Sequence, residues 1–180
     1  MLKRILSQNL PTGGLLFAGF SIAALLFAGC SSQPFAKYNQ GILEMNTGNE
    51  TTAETLLLED LVERPDHAES WNQLGIIAFE REDWAAAEER FRSAYEINSL
   101  NPAYSRNLGL TFAARNQYDP AMEWFELSLQ ADPKNLETLN ALATVYFLTE
   151  NIDATQETVK QLLALDPAHP GALNIQARLP

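Results

Sequence analysis

Residues 68–101 read AESWNQLGIIAFEREDWAAAEERFRSAYEINSLN, and residues 102–135 read PAYSRNLGLTFAARNQYDPAMEWFELSLQADPKN. Both blocks are 34 residues long and align without a gap. Leu74-Gly75 falls on Leu108-Gly109, Ala87 on Ala121 and Phe91 on Phe125. The period continues both ways. Residues 136–169 carry Leu139, Leu142, Ala143, Tyr146 and Pro167 in register, and residues 34–67 carry Gly41, Ala53, Leu57 and Pro65. Self-similarity at this period marks an array of stacked supersecondary units.

Each block holds two stretches with apolar residues at helical spacing. In residues 68–101 one stripe is Trp71, Leu74 and Ala78, and the other is Ala87, Phe91, Ala94 and Tyr95. The small Gly75 and Ala87 let the two helices approach closely. Helix-start signals punctuate the blocks. Asp66 followed by Glu69 has the form of a capping box. Asn101-Pro102 and Asp119-Pro120 set a capping residue before a proline at the first helical position. Asp132-Pro133 and Asp166-Pro167 fall in the turns between blocks, and no run reads as a strand. A single helix pair cannot bury its apolar face, so neighbours must stack.

This pattern resembles the tetratricopeptide repeat over residues 34–169. The resemblance implies an all-α fold: a right-handed superhelical solenoid of about four repeats, residues 34–67, 68–101, 102–135 and 136–169. Residues 170–180 read as a short capping helix in which Leu173 continues the register of Leu139. The first block departs most, with Lys37, Gln40 and Glu44 at apolar signature positions. Thr155 replaces a small Ala in the fourth, and Ser99 replaces Pro in the second.

The amino terminus reads as an address. Residues 1–29 hold no Asp or Glu, and Lys3 and Arg4 make a short basic start. Leu15 to Ala28 then runs without a charge, too short for the roughly 20 apolar residues of a comfortable bilayer span. This fits a secretory signal peptide over residues 1–29. Phe27-Ala28-Gly29-Cys30 resembles the lipobox of bacterial lipoproteins. That resemblance implies lipidation at Cys30 and cleavage before it, with Ser31 permitting export to the outer membrane, facing the periplasm. Taken without it, the same residues also allow a secreted protein with an incidental cysteine, or a retained anchor helix. Residues 30–33 would form the lipidated end and a short tether, holding the first repeat against the membrane.

Composition narrows the functions. Hydrophobic residues make up 46% and charged residues 19%, an ordinary globular balance. The net charge of -11 argues against nucleic acid as a partner, since phosphates demand a basic face. One Cys and two His cannot make a Cys/His zinc site or an internal disulfide framework. No metal and no cofactor is expected. His67 and His169 share one repeat position three repeats apart, so they cannot form a dyad and read as residues at helix starts. No Gly-rich phosphate loop, HExxH or GxSxG occurs, and the chain is not expected to be an enzyme.

The resemblance also implies a concave groove lined by the first helix of each repeat. Its fifth positions are Tyr38, Asn72, Arg106 and Asn140. The ninth are Ile42, Ile76, Leu110 and Thr144, and the twelfth Met45, Phe79, Ala113 and Phe147. Tyr38, Asn72, Phe79, Arg106, Leu110, Asn140 and Phe147 are the candidate peptide-binding residues. The apolar side chains suit hydrophobic anchors, the amides an extended backbone, and Arg106 a carboxylate. Asn39 and Asn107 match the family consensus and receive no ligand role. The Lys/Asn clamp for a carboxyl terminus is not carried. Glu80, Glu82, Asp83, Glu88 and Glu89 form an acidic cluster, where Glu88 and Arg92 can pair at i,i+4. The expected function is a membrane-anchored protein–protein interaction scaffold that binds an envelope protein or peptide segment. Its resemblance to lipoproteins of type IV pilus and secretin assembly favours an assembly factor. The alternatives are an adaptor for peptidoglycan hydrolases, or a structural, self-associating array.

Overall fold

A computed structural model describes residues 35–180. The expected signal peptide, Cys30 and the tether lie outside the described residues. Nine helices and no strand occur among the described residues. They are α1 (Ala36–Asn46), α2 (Glu50–Glu63), α3 (Ala68–Glu80), α4 (Trp84–Ile97), α5 (Pro102–Ala114), α6 (Tyr118–Ala131), α7 (Leu136–Leu148), α8 (Ile152–Leu165) and α9 (Pro170–Gln176). None is long and apolar enough to cross a membrane. Each odd-numbered helix up to α7 packs most heavily on the even one that follows, and each even one packs on the next odd one. The core is a string of small clusters along this solenoid. Ala53, Leu57 and Leu61 of α2 meet Leu74 and Ile77 of α3. Ala87 and Phe91 of α4 meet Leu108 of α5, and Ala121 and Phe125 of α6 meet Leu142 and Val145 of α7. Stability is therefore carried between neighbours.

Close approach within each pair rests on a size match. A Cβ at Gly75 would stand 2.5 Å from ring atoms of Phe91, and one at Gly109 2.5 Å from the ring of Phe125. Gly41 similarly faces Leu57, at 3.1 Å. In the fourth pair Ala143 shares a cluster with Val159. Where the second helix presents a large side chain, the first gives up its own.

The turn inside each pair is a Schellman motif. Gly48, Glu82, Asn116 and Glu150 all have positive φ, at 83, 62, 58 and 58°. In each turn that residue's N–H donates to a carbonyl three residues back, as in Glu150 to Phe147. The next N–H donates five residues back, as in Asn151 to Tyr146 at 2.9 Å. Glycine and asparagine suit this conformation, whereas a glutamate pays about 1–2 kcal/mol in steric strain. Gly loses about 0.5–1 kcal/mol more backbone entropy than Ala. Glu150→Gly is therefore expected to stabilise the fold by about 0.5–1 kcal/mol. Asn116→Gly should gain less, because Asn tolerates this region. Urea denaturation compares the two, and a neutral or destabilised Glu150→Gly rejects the strain.

Two local start signals are overruled by the repeat. Asp66 is not the cap of α3, since His67 takes that place without a side-chain cap bond. Asp119-Pro120 does not open α6, which starts at Tyr118 after Gln117. The Schellman turn ends at Gln117, so the helix begins in register with Trp84 and Ile152. Pro120 then sits in the first turn, where its missing N–H has no helical partner to lose. Asn101 does cap α5, accepting from the Ala103 N–H at 3.0 Å with Pro102 at the first position. Asp132 and Asp166 hold the turns between repeats by accepting from the N–H of Lys134 and Ala168, at 3.2 and 3.1 Å. Asn98 does the same for Leu100 where Ser99 replaces Pro. Thr155 is fully buried, its hydroxyl donating to the Asn151 carbonyl at 2.7 Å.

The odd residues of the first repeat fit its end position. Lys37 pairs with Glu59 and Glu63 of α2 at 3.2 and 2.9 Å, and Gln40 is exposed. The matching Leu74 of α3 is buried against α2, and no described helix precedes α1 to bury Gln40 likewise. At the other end Leu173 keeps the register of Leu139 but is 44% exposed, as no described helix follows α9 to cover it.

Candidate groove

The first helix of each pair presents the expected apolar floor side chains, with Tyr38 and Thr144, half-buried. Tyr38 packs on the Leu57 and Leu74 cluster and meets His67 edge-on, with ring centroids 4.9 Å apart. Phe79 meets Trp84 in the same way at 5.1 Å. Leu110 lies partly buried on the Phe125 and Leu142 cluster. Phe147 lies partly buried on the Leu139 and Val159 cluster. Ile42, Met45, Ile76, Ala113 and Thr144 are also half-buried. Part of each side chain is thus spent on the core and part faces outward.

The polar floor residues divide into two halves. In the first half a fifth-position residue meets the sixth-position residue of the next repeat. Burial chiefly raises the Tyr38 phenol above its usual range, with Gln73 opposing. Asn107 Nδ2 donates to Asn72 Oδ1 at 2.8 Å. Asn72 is buried and its oxygen is taken, so it acts in the floor's own ladder and not as an open amide. In the second half the sixth-position partners are apolar, Ala141 and Ile175. Arg106 accordingly has only Glu137 among the described residues, at 3.9 Å. Burial pushes its guanidinium below its ordinary range, with the Glu137 charge opposing. Asn140 Oδ1 is buried without a hydrogen-bond partner among the described residues. It is covered by α9, because a Cβ at Gly171 would lie 2.1 Å from it.

The acidic cluster is largely engaged with its surroundings. Glu88 pairs with Arg92 at 3.0 Å and with Arg115 of α5 at 2.9 Å. Asp83 caps α4 by accepting from the Ala86 N–H. Glu89 is exposed on α4.

A buried polar knot joins the first two repeats, and sequence reading missed it. Asp60 of α2 is 1% exposed and Ser70 of α3 is fully buried. Ser70 Oγ donates to Asp60 Oδ2 at 2.6 Å. His67 Nδ1 lies 2.7 Å from both the same Asp60 oxygen and Ser70 Oγ. Arg64 donates to Asp60 Oδ1. These are the residue types of a hydrolytic triad in another geometry: the serine donates to the carboxylate, and one imidazole nitrogen faces both. The arrangement fastens helices. The third interface has a neutral version, with Ser128 Oγ 2.9 Å from Thr138 Oγ1. Among the described residues no group of three or more His, Cys, Asp or Glu could hold a metal ion.

Comparison with known proteins agrees with this architecture. A tetratricopeptide repeat family profile matches residues 38–102 and 72–135. A profile of anaphase-promoting complex, cyclosome, subunit 3 matches residues 114–179. The N-terminal acetyltransferase A complex auxiliary subunit NAA15 of Arabidopsis thaliana is 28% identical over 105 residues. That stretch is 58% of this chain and 12% of the relative, so the chain spans about an eighth of that protein. The solved pilF of Pseudomonas aeruginosa has a TM-score of 0.75 at 18% identity, covering 83% of this chain and 68% of that one. YrrB, described as a TPR protein with an unusual peptide-binding site, has a TM-score of 0.70 at 20% identity, covering 82% and 76%. Likeness at these identities carries the fold alone. The two tetratricopeptide matches together span residues 38–135, more than half of the chain, and the protein belongs to the tetratricopeptide repeat family.

Proposed function

We propose that this protein is a membrane-anchored scaffold of the bacterial envelope that holds a peptide segment of a partner in the groove of its first helices. The observation that carries this reading is the floor itself. Half-buried apolar side chains recur at every repeat step, beside an arginine whose nearest carboxylate is 3.9 Å away. Such a surface offers apolar anchors and a charged contact to one extended or helical segment. The family fold supports a protein–protein interaction role, while the fold itself fixes no partner. The lipobox at Phe27 to Cys30 supports anchoring, and Ser31 supports the outer membrane. The likeness in fold to pilF favours an assembly factor for a pilus or secretion complex.

Two measurements test this. Cys30→Ala is expected to move the protein from the membrane pellet to the soluble fraction or to leave an unprocessed precursor. Unchanged membrane recovery and mass reject lipidation. Loss of acylation should have a large effect, because two or more acyl chains make attachment stable. A photo-crosslinking residue in place of Thr144 is expected to capture an envelope protein in living cells. The same residue in place of the exposed Glu89 should not. Capture of a pilus or secretin component selects the assembly role, and capture of a cell-wall hydrolase selects the adaptor. Capture of a second copy of this chain selects self-association, and capture only at Glu89 rejects the groove.

A further inference from the structure

The chain has 23 acidic against 12 basic residues, so an arginine without a close carboxylate is the exception. Lys37 is held by Glu59 and Glu63, and Arg64 by Asp60. Arg81 is held by Glu50 and Glu54, Arg90 by Glu54, and Arg92 and Arg115 by Glu88. Two arginines stand apart. Arg106 has only Glu137 at 3.9 Å, a side chain that is itself 71% exposed. Arg178 forms no ion pair among the described residues, and its guanidinium lies over the Phe147 ring at 4.6 Å. Lys134 and Lys160 also lack a close carboxylate among the described residues, but Lys134 lies in a turn and Lys160 on the second helix of its pair.

The location of the two arginines matters. Arg106 holds the fifth position of the third repeat. Arg178 stands one period after Thr144 and two after Leu110, in register with the ninth positions that line the floor. The floor is thus continued past the fourth repeat by the segment after α9, where the Arg178 guanidinium lies over the twelfth-position Phe147. By repeat register, Leu110, Thr144 and Phe147 hold the floor positions between the two arginines. This is also the half where the floor's own amide ladder stops. Of the described arginines, the two without a close carboxylate both stand on this half of the floor.

We propose that this half of the groove, from Arg106 to Arg178, receives an extended peptide segment bearing two separated acidic side chains, one for each guanidinium, with an apolar side chain between them. The proposal rests on the groove reading above and names the chemistry of its occupant. Neighbouring packed helices lie about 8–10 Å apart, so α5 and α9, two steps apart, are separated by about 16–20 Å. An extended chain advances about 3.3 Å per residue, which places the two carboxylates about five or six residues apart. Arg106 has already lost much of its hydration in folding, so its pairing with a carboxylate requires little further ordering. Arg178 is oriented by its stacking on Phe147. The surrounding acidic surface repels densely acidic segments, which favours isolated carboxylates in an apolar context.

The test uses the full chain in detergent micelles and fluorescent peptides of about twelve residues, long enough to cross the span. The peptides combine Ser, Gly, Leu and Phe with two Glu at varied separations, and matched sets carry Gln or Lys instead. Polarisation is expected to show the Glu peptides binding best at a separation of about five or six residues, and about tenfold tighter than their Gln counterparts. Arg106→Gln and Arg178→Gln should each remove most of that difference between the Glu and Gln peptides. Arg178→Lys should retain part of it, and circular dichroism melts confirm that the variants fold. Equal binding of Glu and Gln peptides, preference for Lys, no binding at any separation, or indifference to both arginine variants overturns the proposal. Phe147→Ala separates the two readings. If it abolishes Gln-peptide binding while the arginines do not matter, the groove reading stands and the acidic occupant falls. If neither it nor the arginine variants alters any binding, both fall.

Discussion

Replacing Asp60 by Ala is expected to unfasten the first repeat and leave the rest of the array folded. Asp60 is nearly inaccessible and accepts from Ser70, Arg64 and His67. Removing it leaves a buried hydroxyl, a mostly buried imidazole and a partly buried guanidinium without their shared acceptor. Deleting one partner of a buried charge pair costs about 3–5 kcal/mol, and an exposed escape route for Arg64 puts the loss near the lower end. In a solenoid this loss falls on one interface. Amide exchange in α1 and α2 is expected to accelerate by about a hundredfold, the equivalent of roughly 3 kcal/mol, while α5 to α8 keep their protection. Uniform acceleration, or none, rejects the fastening role.

The same knot gives a sign for pH. Burial pushes the Asp60 carboxyl up, but the hydrogen bonds from Ser70, Arg64 and His67 together with the Arg64 charge outweigh it and hold it below the usual carboxylate range. A depressed carboxyl stabilises the fold fully above its unfolded value and loses that contribution as pH falls through the folded one. The first repeat should therefore loosen under acid below about pH 4, ahead of the others. Glu69, whose carboxylate lies 3.4 Å from His67 Nε2, faces the knot from α3. Asp60→Asn should remove this part of the acid sensitivity.

What could be read in the chain beforehand, and what could not, follows from the scale of each interaction. The 34-residue period, the paired helices and the close approach at small Gly75 and Ala87 were legible, because the pattern recurs along the chain; that the glycines face Phe91 and Phe125 is seen only in the structure. Caps were misread at Asp66 and Asp119, because a local rule worth about 1 kcal/mol yields to the register of a whole repeat. The left-handed turn was hidden by its residues. Gly48 and Asn116 signal it, whereas Glu82 and Glu150 disguise it. The Asp60 knot was invisible to periodicity, since the equivalent positions are Ala94, Ser128 and Leu162. Its only trace is that polar residues face polar ones, Asp60 with Ser70 and Ser128 with Thr138, where Ala94 faces Tyr104. Arg178 lies in the segment that reads as a cap, although the period that places Leu110 and Thr144 reaches it.

The size match between the two helices of a pair predicts a second large effect, and a rescue. At Gly109 an alanine would be worth about 1 kcal/mol in helix propensity. Its Cβ would stand 2.5 Å from Phe125, a ring that is fully buried and cannot swing away. Overpacking of this kind costs about 1–3 kcal/mol, so Gly109→Ala is expected to destabilise by about 1–2 kcal/mol despite the better helix former. Phe125→Val alone removes most of a buried ring and should cost about 2–3 kcal/mol, somewhat below a full Phe→Ala truncation. Combined, the two changes recreate the Ala143 and Val159 pairing that the fourth repeat already uses. The double variant should then exceed the sum of the single effects in stability by at least about 1 kcal/mol, as expected for residues in direct contact. Urea denaturation of the four proteins closes the cycle. Additivity within about 0.5 kcal/mol would mean that the contact between Gly109 and Phe125 is relieved elsewhere, and that the alternation of small and large residues is not what sets the spacing of the helix pair.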